Sequence, residues 1–212
     1  MASKVEGKPW LSIWVEPRKT IRAIVESNPK FGFLLLCAVY GLPMAFNLAQ
    51  SFNLISSVPM WAIVLGSLVV CTFLGMIGIS ISAWLLQVTG RWIGGKGNFQ
   101  NVRAAVAWSN VPNFITILMW IALIGIFGKQ VFAPEFTETQ FIGFQAGAVF
   151  LIFLIQTIIS VWGFIILLNT LGEVQGFSAW KALLNVIIPV VIVVAIWLLV
   201  GWALTGTSSI HN

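Results

Sequence analysis

The sequence predicts an all-α integral membrane protein of five transmembrane helices preceded by an amphipathic interfacial helix. Three observations carry that expectation. Of 212 residues, 59% are hydrophobic and only 8% charged, whereas soluble domains carry about 25% charged residues and need them to cover a surface. Several apolar runs exceed the roughly 18 residues that mark a membrane span. The cations, finally, are shared unequally among the connections, as expected of a polytopic chain.

Residues 1–30 form a cytoplasmic N-terminal segment. They are polar and charged, without a central apolar stretch ending in small residues, so no signal peptide is expected. Pro17 is placed to open a helix, with Glu16 near its positive end. Ile21, Ile24 and Val25 share one face; Arg18, Lys19, Arg22 and Glu26 share the other. This is the pattern of a helix lying in the membrane interface, anchored by Trp10 and Trp14. Each cation near an anionic surface contributes about 1 kcal/mol. A basic segment that only sets topology would use the same residues.

Residues 31–205 form the membrane domain, with spans at about 31–54, 60–88, 109–128, 141–170 and 183–205 and a short tail at 206–212. The first span is diluted by Asn47, Gln50, Ser51 and Asn53. The second and fourth exceed the minimum length, so tilt or a bend is expected. Lys4, Lys8, Arg18, Lys19, Arg22 and Lys30 precede the first span; Arg91, Lys96 and Arg103 follow the second, and Lys181 follows the fourth. The opposite side carries Lys129. Positive connections stay in the cytoplasm, which puts the N-terminus inside and the C-terminus outside. The net charge of +5 therefore points to anionic lipid headgroups and not to nucleic acid. Cys37 and Cys71 fall inside apolar runs and read as free buried thiols.

Between the second and third spans, "GRWIGGKG" (residues 90–97) fills the first seven places of a phosphate-binding loop, G-x-x-x-x-G-K-[ST]. Gly97 stands where the metal-binding hydroxyl belongs. A phosphate loop joins a strand to a helix N-terminus, and here a membrane span precedes it. The stretch reads as a flexible cytoplasmic turn with Trp92 and Arg91 at headgroup level, and no nucleotide is expected. Beyond it, Asn98 can cap a short helix with Phe99, Val102 and Val106 on one face. "FQNVRAAV" (99–106) and "FSAWKALL" (177–184) share an aromatic, a cation four residues on, and an alanine. Glycine precedes and proline follows each. A parallel duplication of span, glycine turn, short amphipathic helix and span is the resulting expectation; two unrelated re-entering helices would look alike.

At these residues the chain resembles the Yip-domain family, membrane proteins that interact with Ypt/Rab GTPases, and its bacterial branch in particular. "GNFQNVRAAVAWSNVP" (97–112) is similar to the family's glycine-then-Phe segment leading to a Tyr-Gly-Tyr-Ser motif and a proline, with Ala107, Trp108 and Ser109 in the Gly-Tyr-Ser places. "WLSIWVEPRKTIRAIVESNP" (10–29) is similar to the bacterial N-terminal signature, an aromatic lead into Pro-Arg-x-Thr. The resemblance implies a five-span protein of the cell membrane, the inner membrane for a bacterial member. It departs at Val39-Tyr40-Gly41-Leu42-Pro43, which lacks the acid of the eukaryotic Asp-Leu-Tyr-Gly-Pro motif and inserts Leu42. The long cytoplasmic N-terminal region of eukaryotic members is also missing, so Rab binding does not carry over.

Candidate site residues fall into two groups. Trp10, Trp14, Arg18, Lys19, Arg22, Arg91, Trp92, Arg103 and Lys181 are candidates for contact with lipid headgroups or a partner at the cytoplasmic face. Asn47, Gln50, Asn110, Asn113, Asn169 and Asn185 are intramembrane amides; facing the bundle interior to pack against neighbouring helices is one reading, lining a solute path the other. Ser67, Cys71 and Gly75, at i, i+4 and i+8, and the pair Gly143 and Gly147 suggest close helix packing, within the fold or between protomers. Glu173 is placed to pair with Lys181 or Arg103. No ionisable residue lies deep in a span, and His211 sits at the end of the chain. No metal ligand set, cofactor site or nucleophile–base constellation is evident. The reading is a non-enzymatic scaffold or organiser acting through its cytoplasmic face. The alternative is a transporter or channel for a small solute through the asparagine-lined bundle. A membrane or cytoplasmic protein partner and a homo-oligomer both fit the first reading.

Overall fold

The computed structural model describes residues 8–138 and 141–208, the side chains of 137, 138, 201 and 203–208 excepted. Lys4, His211 and the last residues of the C-terminal tail lie outside the described residues. All regular structure among the described residues is helical. A single turn, α1 (Pro9–Ser12), leads into α2 (Pro17–Ser27), which opens with Pro17 in its first turn. It stops at Asn28 because Pro29 disfavours helical geometry in the residue before it. Gly32, at φ +68°, turns the chain into α3 (Phe33–Ser51). A short 3-10 stretch follows, and α4 (Met60–Trp92) runs back. Next come α5 (Phe99–Trp108), α6 (Asn113–Phe127), two 3-10 turns, α7 (Phe144–Gln175) and α8 (Ala179–Ser208).

Among the described residues five helices are long and apolar enough to cross a membrane: α3, α4, α6 with its 3-10 extension to Phe132, α7, and α8 to Val200. Their outward faces carry exposed Trp61, Val69, Phe73, Phe153 and Trp197, a surface that hydrocarbon and not water can cover. Several expected bounds move: the third span runs from Asn113 to Phe132, and the fifth begins at Ala179. The second and fourth spans continue to Trp92 and Gln175. At 1.5 Å per residue, helices of 33 and 32 residues are about 50 Å long, against a hydrocarbon core of about 30 Å. Reading by apolar length stops where polarity rises, but backbone hydrogen bonding does not.

The glycine turn is correspondingly shorter than "GRWIGGKG" suggests. Gly90, Arg91 and Trp92 end α4, and the turn proper is 93–98. The expected duplication is also uneven. Asn98 accepts a hydrogen bond from the Asn101 N–H at 2.9 Å and caps a separate α5. The counterpart at 177–184 is no separate helix; it runs on as the first turns of α8, through Pro189.

The α3–α4 pair is the tightest in the bundle. Gly41 lies against the backbone of Cys71 and Gly75, and Gly75 against the backbone of Cys37. Ser67, Cys71 and Gly75 are all buried, as their spacing suggests. A Cβ at Gly143 or Gly147 would meet nothing within 4 Å among the described residues; Gly143 instead has φ +60° and precedes α7. Both cysteines are free and buried. Two apolar clusters result. One, at the end of the bundle that bears the glycine turns, includes Ile13, Ile21, Ile24, Leu36, Val102, Trp108 and Leu171. The other, toward the opposite end, gathers Leu42, Phe46, Ile63 and Phe132.

Candidate functional site

The overrunning ends of α4 and α7 build a folded cap with α2, α5 and the start of α8. Helix α5 is its centre and touches α2, α3, α4 and α7. Alanines at 104, 105 and 107 let it approach its neighbours closely, and Trp108, 1% exposed, closes the face. The Trp108 indole N–H donates to the Phe31 carbonyl at 3.2 Å. Trp10 packs on Trp108 with ring centroids 4.6 Å apart and meets Phe114 edge-on at 6.0 Å. Trp10 is thus part of the cap's core, and Trp14 packs half-buried against the same cluster.

The apolar face of α2 is covered by protein. Ile21 and Ile24 are wholly buried, and α2 lies on α7 and α5. Its interfacial pattern arises because the cap presents the same apolar surface that a bilayer would. Arg18 Nε donates to Asn169 Oδ1 at 3.1 Å, and its Nη1 stands 3.9 Å from Glu173. Arg22 makes a 2.7 Å ion pair with Glu173, whose side chain is 16% exposed. The hydrogen bond and charge of Glu173 raise the Arg22 pKa above its ordinary value. The expected partners of Glu173 were Lys181 and Arg103. Both lie instead over aromatic faces: Arg103 is 4.4 Å from the Phe33 ring and 5.4 Å from Phe99, and Lys181 is 4.8 Å from Phe177. Cation–π contact holds them without an acid.

A second polar network joins the two glycine turns. Gln175, 1% exposed, accepts from the Gly97 N–H at 3.1 Å and donates to the Leu86 carbonyl at 3.1 Å. Its own carbonyl accepts from the Lys96 N–H at 3.1 Å. Asn185 is wholly buried. It accepts from Thr89 Oγ1 at 2.7 Å and donates to the Leu86 carbonyl at 3.1 Å. Sequence reading reached Asn185 but missed Gln175 and Thr89. The available signal was Gln175 immediately before Gly176, whose φ of +73° ends α7. A polar side chain at such an end can satisfy carbonyls and N–H groups that the helices leave open.

That network also decides how the phosphate-loop pattern behaves. The N–H groups of residues 93–97 all donate to protein: Ile93 and Gly95 to the Gly90 carbonyl, Gly94 to Arg91, Lys96 and Gly97 to Gln175. None is free to cradle a phosphate. The Lys96 side chain stands exposed beyond the turn.

The other candidates separate by environment. Lys19 pairs with Glu16 at 2.7 Å in an exposed i, i+3 pair. Arg91 is exposed and lies 3.1 Å from the Gln87 amide oxygen once that amide is turned to satisfy its neighbours. Trp92 is 65% exposed, and Trp180, which sequence reading passed over, is 81% exposed. Among the intramembrane amides, Gln50 donates to the Val131 and Ala133 carbonyls. Asn110 donates back to Val106, Asn113 donates to Asn110, and Asn169 donates to Ile165. Asn47 is exposed and borders a crevice of ≈ 870 Å³ between α3, α6 and α7.

The Yip1 domain family model matches residues 11–200, which take in both the cap and the spans. No curated protein and no solved structure matches the chain significantly.

Proposed function

The chain belongs to the Yip1 domain family, a multi-pass membrane domain, and from that premise we propose that it is a non-enzymatic scaffold or organiser. It acts through the cap, which faces the cytoplasm, with the C-terminus on the other side. One observation carries the reading. Lys30, Arg91, Lys96 and Lys181 are exposed with no carboxylate partner among the described residues. Two exposed tryptophans, Trp92 and Trp180, share their rim. Cations beside amphipathic indoles suit a surface of anionic headgroups or an acidic segment of a partner protein. The bacterial branch, and hence an inner-membrane location, belongs to the same proposal and rests on the aromatic lead into Pro17-Arg18-Lys19-Thr20. A homo-oligomer is compatible with it.

A second reading, passage of a small solute, draws support from the crevice beside Asn47, Gln50 and Asn113. One pair of variants separates the two. Charge reversal at Arg91, Lys96 and Lys181 spares the Glu173 and Gln175 networks and removes only the Lys181–Phe177 and Arg91–Gln87 contacts at the rim, so it should abolish photocrosslinking from position 180 to headgroup or partner in native membranes while the protein stays folded. Saturable solute flux in proteoliposomes that survives this reversal but is lost in Asn113→Ala would overturn the scaffold reading.

A further inference from the structure

The crevice between α3, α6 and α7 carries an inference independent of the cap. Its wall includes Tyr40 and Asn47 from α3, Asn113 and Thr116 from α6, and Gln156 from α7. Among the described residues the Tyr40 hydroxyl and the Asn47 and Gln156 amides make no side-chain hydrogen bond, and Asn113 uses only its Nδ2, toward Asn110. Thr116, 7% exposed, holds the one buried side-chain polar atom without a partner among the described residues. Polar groups at membrane depth without partners are expensive. Here they converge from three helices on one space, and that convergence calls for an occupant that hydrogen-bonds.

The chemistry of the wall limits that occupant. Among the described residues no charged side chain lines the crevice, so an ion or an anionic headgroup would be stripped of water without compensation from them. Most of the remaining wall is apolar, including Met44, Met119, Trp120 and Phe153, which disfavours a polyol. Along α6 the wall runs Asn113, Thr116, Met119, Trp120, Leu123 at helical spacing, polar first and then apolar. The ≈ 870 Å³ volume falls within the range of small-molecule sites. We propose that this crevice binds a neutral amphipath, with a hydroxyl or carbonyl head at Asn113 and Thr116 and an apolar chain lying along α6 and α7. Gln156 meets the head or its linkage from the α7 side.

The test uses the full chain in phosphatidylcholine vesicles, photolabelled with a monoacylglycerol that carries a diazirine in its acyl chain. Crosslinks are expected on residues 119–123 and 149–153, competed by unlabelled monoacylglycerol and not by glycerol. The fatty acid of the same chain, compared at about pH 9 so that it is ionised despite the desolvation that raises a carboxyl pKa in a bilayer, should label these residues less. Thr116→Val, which keeps the side-chain shape, and Gln156→Leu should each lower crevice labelling about fivefold, the effect of one lost hydrogen bond. Labelling of lipid-facing α8 should not change. Crevice labelling no stronger than that of α8, equal with the fatty acid, or indifferent to Thr116→Val would overturn the proposal. Competition by glycerol would also overturn it, assigning the crevice to a polar solute. If Gln156→Leu does not fold, Thr116→Val alone decides.

Discussion

Replacing Gly75 by Ala tests the α3–α4 crossing on which the bundle is built. A Cβ at Gly75 would overlap the Cys37 carbonyl oxygen and stand 2.6 Å from its carbonyl carbon. The obstacle is backbone, so no rotamer change relieves it. Restoring ordinary contact near 3.5 Å to that oxygen requires the helices to part by roughly 1.5 Å. Overpacking of this kind costs about 3 kcal/mol, at the upper end of its usual range because the interface must shift as a whole. Alanine returns about 1 kcal/mol of helix propensity, leaving Gly75→Ala destabilised by about 2 kcal/mol. Gly66 lies on the same helix, and nothing stands within 4 Å of its added Cβ. There the propensity gain stands alone, so Gly66→Ala should be neutral or stabilised by up to about 1 kcal/mol. The two variants, unfolded in mixed micelles and followed by tryptophan fluorescence, should differ by about 3 kcal/mol. A difference below about 0.5 kcal/mol, the scatter of unremarkable surface changes, would refute the crossing geometry.

Three further expectations follow from the cap and its orientation. Glu173→Gln removes the acid shared by Arg18 and Arg22; both arginines are partly exposed, so the loss is small, read as faster amide exchange in α2 with α4 unchanged. Unaltered α2 exchange would remove the ion pairs from the docking argument. Gln175→Ala leaves the Gly97 N–H without its acceptor and should destabilise by about 1–3 kcal/mol; Asn110→Ala, whose amide bonds to its own preceding turn and to the half-buried Asn113 three residues on, should cost less in the same unfolding assay. In a Cys37/Cys71-free background, Lys96→Cys and Lys129→Cys should react with impermeant thiol reagents from opposite sides of the membrane, and labelling of both from one side would contradict the proposed topology.

The five spans were legible because hydropathy over about 20 residues reports directly on hydrocarbon solubility. The Ser67–Cys71–Gly75 stripe was legible too, since helical spacing alone brings small residues to one face. Gly143 and Gly147 had the same spacing, but Gly143 is there for its positive φ, and spacing cannot distinguish the two uses. The amphipathicity of α2 could be read, but what its apolar face covers could not, because an interface and a protein surface ask for the same residues. Glu173 was visible as the lone acid near the turns. Its partners were not, since Arg22 lies 151 positions away in sequence and Arg18 further still, and both depend on how α2 folds back. Gln175 escaped notice because its three hydrogen bonds reach a helix end and a turn, neither of which exists until the cap assembles.

The docking of α2 has a consequence for the order in which the protein is made. Its seat consists of α5 and α7, and the Arg18–Asn169 and Arg22–Glu173 contacts each close a separation of 151 residues. At about 5–20 residues per second, synthesis of that length occupies roughly ten to thirty seconds. Throughout this interval α2 has left the ribosome with Ile21 and Ile24 uncovered, and the membrane surface is the apolar phase nearest to it. A bilayer-bound α2 is then the nascent state and the docked α2 the mature one. The cap cannot close until α7 has been made.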